Sequence, residues 1–401
     1  MPIRRPASAS ARIESHILGL VRDGTYGDGD RLPSESELAK KFKVSRIPVR
    51  QAVEVLIKRG IVRRIHGKGM FVHRAGERQP QSGRIAVLYW PKDVSFFSSS
   101  YYTAILSGIE SEATRCHRSI LLQSFRQEVD LDPSAALRAL ADQVDGILVI
   151  EFIPYLYRAL EKTVRSLHKP VVVLNYDGAA PDLDCVLFDD HEGGRRATAC
   201  LIQQGHSRIA CVYRQAEAGG GPAATFGNRL HGYRAALADA GLSYDDSLCL
   251  NLPPSTPTGP KLTQPEPSAP ELIRNLLLRS DRPTAVFCCS DSLALMVYRE
   301  AELAGLRIPE DIAVIGFDDI PEAAAARPSL TTMHAPLAEM GAVAFRRVLE
   351  RIEQAPDAAH IAYRALLPVA VVARESHAIR SKSVAVDYVA VQPKNSQLLS
   401  P

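Results

Sequence analysis

The 401-residue chain lacks any run of about 18 apolar residues, the length a helix needs to cross a bilayer. Its basic start, Met1-Pro2-Ile3-Arg4-Arg5-Pro6, is followed by no apolar stretch of the secretory kind. The seven cysteines, at 116, 185, 200, 211, 249, 288 and 289, are odd in number and without metal-type spacing. Most sit in apolar runs, where cysteine behaves as a small hydrophobe, and the adjacent Cys288-Cys289 pair is poorly placed to form a disulfide. These absences point to a reducing cytoplasm. Also missing are a nucleophile elbow with Ser, His and Asp in order, and paired carboxylates in a predicted cleft. The glycine-rich run Ala218-Gly219-Gly220-Gly221-Pro222 lacks the Gly-Lys-Ser/Thr ending of a phosphate loop. His206 follows a glycine at a helix end and reads as a cap. No catalytic residue, cofactor or metal is expected.

What is present is an uneven charge distribution. Residues 1–75 hold 16 Lys and Arg against seven Asp and Glu, while the remainder holds 32 basic and 38 acidic residues. A basic module on an acidic body suits nucleic-acid binding by the module alone. Within it, Ile13, Ile17, Leu18 and Val21 share one face of a helix over 11–23. Ser34 with Glu37 forms a capping box for a short helix, about 34–42. Ser45 caps a third helix running to about Arg59, with Pro48 tolerated in its first turn. Its apolar face is Val49, Ala52, Val53, Leu56 and Ile57, and Arg46 and Arg50, four apart, point together on the other side. Residues 61–65 and 70–73 read as strands joined by His66-Gly67-Lys68-Gly69. Residues 74–83 form a polar stretch.

From Arg84 onward, strands alternate with helices, which predicts parallel sheets covered on both faces. Strands are expected at 85–89, 146–150, 171–174, 208–213, 284–289 and 312–317, and helices at 102–116, 191–204, 229–240 and 291–304. Residues 251–270, with seven prolines, read as an exposed extended insertion, and 378–401 as a weakly structured tail.

Two resemblances follow from these residues. Gly29-Asp30-Arg31-Leu32-Pro33-Ser34-Glu35, Leu38-Ala39, Val44-Ser45-Arg46, Val49-Arg50-Gln51-Ala52, Leu56, Gly60 and Gly67-Lys68-Gly69 with Phe71-Val72 resemble the GntR-type winged helix-turn-helix. That resemblance implies that the third helix enters the major groove while the hairpin tip touches the backbone or minor groove. It makes Arg46 and Arg50 readers of bases or phosphates and His66, Gly67 and Lys68 the wing contacts. Ser34, Ser36 and Ser45 join the DNA-binding set, although Ser36 stands where some members carry a DNA-contacting Arg.

The second resemblance spans about 84–377. Gly205-His206-Ser207-Arg208-Ile209-Ala210, Arg229 with Gly232-Tyr233-Arg234, Ser290-Asp291-Ser292-Leu293-Ala294, Gly305 through Gly316-Phe317-Asp318-Asp319, and Pro328-Ser329-Leu330-Thr331-Thr332 resemble the LacI/GalR regulator core, itself similar to periplasmic sugar-binding proteins. The combination is similar to arabinose-repressor-type chimeras. It implies an α/β fold: a winged helix-turn-helix at 1–75, a linker at 76–83, and a two-lobed periplasmic-binding-protein-like domain with parallel sheets at 84–377. Lobe 1 is about 84–187 with 333–353, and lobe 2 about 188–331 with 360–377. A ligand is expected between the lobes at the carboxyl ends of the strands. By position Arg229 and Asp291 match the family's polar gripping pair, Tyr101 and Tyr102 an aromatic pair, with Asn175 a lesser candidate. Plainer roles stay open: Asp291 as a helix cap, Arg229 as an interlobe ion-pair former, the tyrosines as core or rim, with Phe96-Phe97 a rival aromatic pair.

The implied partners are a double-stranded palindromic operator, a small-molecule effector of the sugar type and a second copy of the chain; no membrane is implied. A ligand-independent repressor with a decayed pocket and a sugar-transport protein are the alternatives. The minor-groove helix that the LacI group places after its head has no counterpart here, since Gly76, Pro80 and Gly83 make 74–83 a poor helix.

Overall fold

The computed structural model describes residues 9–22, 25–26, 29–58, 61–65, 69–72, 82–89, 97–124, 133–150, 162–164, 166–167, 169–175, 183–214, 224–253, 267–354 and 361–378. The linker core at 73–81, the wing tip at 66–68, the centre of the proline-rich segment at 254–266 and the tail beyond 378 lie outside them. Two compact units partition the chain: 1–91 with 105–186 and 338–365, and 92–104 with 187–337 and 366–401.

The basic head is three helices and a hairpin. Helices Ala9–Arg22, Glu35–Phe42 and Arg46–Lys58 close around Ile13, Ile17, Leu38, Val49, Ala52 and Leu56, all buried. The capping box is formed: Glu37 N–H donates to Ser34 Oγ (3.3 Å) and Ser34 N–H to Glu37 Oε2 (2.7 Å). Those bonds favour the ionised carboxyl and lower the pKa of Glu37. Strands β1 (Val62–Ile65) and β2 (Gly69–Val72) pair antiparallel, and their buried residues Val62, Met70 and Val72 join the helical core. The Gly29–Leu32 segment bonds to β2 as well, with Leu32 N–H on Met70 O at 2.9 Å and Gly29 N–H on Val72 O at 2.9 Å. The wing is thereby tied to the loop that precedes the second helix.

In the rest of the first unit, β3 (Arg84–Tyr89), β4 (Ser119–Ser124), β5 (Gly146–Ile150), β6 (Val171–Leu174) and β7 (Asp184–Phe188) run parallel in the order β4-β3-β5-β6-β7. β5, β6 and β7 are buried throughout, as strands covered on both faces must be. Helix Leu337–Glu353 meets helix Ser100–Arg115 backbone to backbone; a Cβ on Gly108 would stand 1.8 Å from Ala338 O. Asp184, buried on β7, accepts from Arg347 Nε (2.7 Å) and from Tyr363 N–H (2.8 Å).

The second unit carries a sheet ordered β14-β12-β11-β10-β8-β9. Its strands are β8 (Ile209–Arg214), β9 (Cys249–Leu252), β10 (Ala285–Cys288), β11 (Ala313–Asp318), β12 (Thr331–His334) and β14 (Ala370–Val372); β13 (Arg364–Leu367) belongs to the other sheet. Its strands pair in parallel except β12 with β14, which are antiparallel. The proline-rich segment differs from the expectation of a wholly extended insertion. Its first residues finish β9, with Leu252 fully buried, and its last residues open helix Ala269–Leu277. Pro270 sits in that helix's first turn, where no N–H is needed, behind a Ser268–Glu271 capping box.

Helices Asp190–Gln203 and Ala224–Asp239 touch through glycine. A Cβ on Gly194 would meet Arg229 O at 2.1 Å, and one on Gly232 would meet His191 O at 2.0 Å. Gly194→Ala should therefore destabilise the protein by about 1–3 kcal/mol, because a backbone carbonyl must move. Gly19→Ala, in the helix Ala9–Arg22 with nothing within 4 Å of its added carbon, should be neutral or stabilising by up to about 1 kcal/mol. Urea unfolding followed by circular dichroism checks both; shifts of the same sign and size would contradict the packing described.

Candidate functional sites in the head and the body

On the head, Ser45, Arg46, Ile47 and Arg50 are exposed at the amino-terminal end of the third helix. Ser34 is engaged in its capping box, and Ser36 lies half-buried in the second helix. Arg50 Nε is 3.6 Å from Glu35 Oε2, and Arg64 on β1 bonds the other oxygen of the same carboxylate. Glu35 thus links the third helix to the wing, and Arg50 keeps most of its surface in water. His66, Gly67 and Lys68 lie outside the described residues.

In the second unit, polar groups gather at the carboxyl ends of β10 and β11. Arg229, on helix Ala224–Asp239, is fully buried. Its Nε donates to Asp190 Oδ1 (2.7 Å), and its Nη1 to Asp318 Oδ1 (3.1 Å) and to the Cys289 carbonyl (2.5 Å). The guanidinium carbon lies 3.5 Å from the centroid of the Phe317 ring and 5.9 Å from that of Phe226. Burial by itself lowers the pKa of an arginine, but the Asp190 and Asp318 carboxylates outweigh it and raise that of Arg229. Nη2 donates to no acceptor among the described residues. The side chain is a planar fork fixed by three bonds.

Asp291 is bonded to other elements. It does not share a bond with Arg229. Its Oδ1 accepts from Thr332 Oγ1 (2.6 Å) and its Oδ2 from Ile320 N–H (2.9 Å), which fixes the carboxyl in place and leaves each oxygen a further lone pair. Nor does Asp291 cap helix Asp291–Leu303; Ser290 does, accepting from Leu293 N–H at 3.3 Å. The carboxylates beside Arg229 are Asp318 and Asp190. Arg229 accordingly forms its ion pairs within the second unit, on Asp190 and Asp318.

Asp318 and Asp319 stand consecutively at φ 112° and φ 60°, a region that non-glycine residues rarely occupy. Asp319 is held there by Arg374 Nη2 (2.6 Å) and His334 Nδ1 (2.9 Å). The turn swings Asp318 back to Arg229. A charged residue closing the buried strand β11 was the sequence signal for Asp318.

Tyr101 and Tyr102 are half-buried, edge to face with ring centroids 5.1 Å apart, and Tyr101 is near enough to act electrostatically on Arg229. Asn175 belongs to the first unit. It is buried after β6 at φ 53°, and its N–H donates to Val186 O at 2.8 Å. The rival Phe97 is exposed, and Phe96 lies outside the described residues.

Burial pushes the carboxyl of Asp291 up to about 7, against the pull of Thr332 and Ile320, and raises that of Asp318 despite Arg229. Between about pH 4 and 7, folded Asp291 keeps a proton that the unfolded chain has released. Stability therefore falls as pH rises through that window and levels off above it. Asp291→Asn removes this titration. Its urea midpoint should gain on that of the wild type from about pH 4 to 7; a constant difference across pH 4–8 would contradict the assignment.

Comparisons with known proteins give two family matches. Residues 9–72 match the bacterial regulatory proteins of the gntR family, and residues 198–377 the periplasmic binding protein-like domain. The arabinose metabolism transcriptional repressor of Geobacillus stearothermophilus is 28% identical over 349 residues, covering 86% of this chain and 91% of that protein. The HTH-type transcriptional repressor PurR of Aliivibrio salmonicida is 32% identical over 264 residues, covering 63% of this chain and 71% of that one. Among solved structures, the transcriptional regulator CelR in complex with cellobiose superposes with a TM-score of 0.62 at 25% identity, over 86% of this chain and all of that one. A LacI family transcriptional regulator from Enterococcus faecium with bound ribose gives 0.59 at 26% identity, over 73% of this chain and 98% of that chain.

Proposed function

Since the chain belongs to the bacterial transcriptional regulators that join a gntR-family DNA-binding head to a LacI-type, periplasmic-binding-protein-like body, we propose that it is a repressor whose hold on a palindromic operator is released by a sugar or sugar derivative bound at Arg229. The arrangement of Arg229 supports this most directly. Its guanidinium is locked by Asp190, Asp318 and the Cys289 carbonyl, so no rotamer freedom is lost when Nη2 meets a ligand. A hydroxyl can accept from Nη2 while its neighbour donates to Asp318, and an aromatic face such as Tyr101 or Tyr102 can cover the C–H side of a ring. Arabinose, cellobiose and ribose, associated with the similar proteins, have that chemistry. No step of this scheme breaks a bond or uses a cofactor or metal, so we assign no enzymatic activity.

Two copies of the chain, in the cytoplasm, bring two heads to the two halves of the operator, and half-site spacing follows from the geometry of the pair. Arg46 and Arg50 face base edges or phosphates, with Ser34, Ser36 and Ser45 beside them and His66, Gly67 and Lys68 on the wing. Asn175 is a weaker candidate for the effector, and Asp291, whose carboxyl is held by Thr332 and Ile320, joins Arg229 as a candidate. Effector control requires a coupling of only about 1–3 kcal/mol between the sites.

A thermal-shift panel of neutral sugars against the full chain tests the body. At least one should raise the melting temperature in a concentration-dependent way. Stabilisation by none, with tight and selective DNA binding, would favour a repressor without an effector. For the head, Arg50→Ala should weaken binding to a selected operator by about 1–3 kcal/mol if it reads a base. Unaltered affinity would remove Arg50 from the interface.

A further inference from the structure

We infer that Ile47 reads thymine through its C5-methyl group, which makes it a determinant of operator sequence; the inference rests on the DNA-binding function of the head. Ile47 is the most exposed large hydrophobic residue described in the head, with 68% of its surface in water. A lone exposed hydrophobe is ordinary on most surfaces. This one occupies the second position of helix Arg46–Lys58, flanked by the exposed Ser45, Arg46 and Arg50.

The buried residues Val49, Ala52, Val53 and Leu56 mark the side of that helix turned to the core. At about 100° per residue, Ile47 lies roughly 170° from the centre of that side and roughly 60° from Arg50. It therefore projects away from the head's core, along the edge of the arginine face. The amino-terminal residues of such a helix are those that meet base edges in the major groove. There the thymine methyl is the apolar feature that distinguishes a base pair, whereas Arg is matched to guanine. An isoleucine in the midst of arginine and serine, with no core to fill, has chemistry suited to that methyl group. The expected operator thus carries a thymine next to the base contacted by arginine.

The test starts from operators selected by the full-length chain out of a random duplex library. Each thymine is then replaced singly by deoxyuridine, which keeps the hydrogen-bonding edge and removes only the methyl. In each half-site one replacement should weaken wild-type binding about fourfold, the worth of one buried methyl group. Ile47→Ala should weaken binding to the parent operator by at least that factor and be indifferent to the same replacement, with Ile47→Val intermediate. An unchanged melting temperature for both variants shows that the head is folded. If no thymine methyl matters, or if wild type and Ile47→Ala respond alike to every replacement, the inference is overturned. Failure to select any sequence would instead overturn the DNA-binding function on which it rests.

Discussion

The buried guanidinium of Arg229 is the constraint on which the second unit is organised. Removing such a charge from water costs several kcal/mol, and only close partners of opposite sign offset it. Here the partners come from far apart in sequence: Asp190 from the start of one helix, Asp318 from the end of β11, and the Cys289 carbonyl from the end of β10. To bring Arg229 close to Asp190, the two helices must touch at Gly194 and Gly232, where no side chain fits. To bring Asp318 round, two consecutive aspartates must adopt left-handed backbone, pinned by Arg374 and His334. Strain and close packing both follow from the one ionic requirement. Their joint result is a rigid donor whose Nη2 meets no acceptor among the described residues.

The head solves a different problem, orienting exposed side chains rather than burying a charge. Its core is small and its third helix presents arginine, serine and isoleucine to water. Glu35 adds order by taking Arg50 from the helix and Arg64 from the wing onto a single carboxylate. That contact restrains Arg50, and a surface ion pair of this kind is weak in water.

Much of the architecture was legible in the sequence because it depends on local periodicity. Val49, Ala52, Val53 and Leu56 mark a helix face, Ser34 and Glu37 mark its neighbour's start, and all-apolar runs such as 146–150 mark buried parallel strands. Arg229 stood out as a candidate, but its partners did not. Whether Asp291 or Asp318 faces it depends on the left-handed turn at 318–319, which no hydrophobic pattern encodes. Asp291 was matched to the gripping pair by position, and the sequence did not show that Thr332 and Ile320, 41 and 29 residues away, hold its carboxyl. Ile47 was left out of the apolar face of its helix and given no role, and its place opposite the core shows only against the buried set. The proline-rich segment was read by composition alone, which hid the helix that Pro270 opens.

On the proposed function, a ligand held by Arg229 changes the grip of the head on DNA. The direct measurement is operator affinity by fluorescence anisotropy at increasing concentration of a stabilising sugar, for the wild type and for Arg229→Lys, which keeps the charge but loses the planar fork. Wild-type affinity should shift at least about fivefold, as a coupling of about 1 kcal/mol requires, while Arg229→Lys should bind the operator without responding. A sugar that binds the wild type yet leaves operator affinity unmoved, or an Arg229→Lys variant that responds as the wild type does, would contradict it.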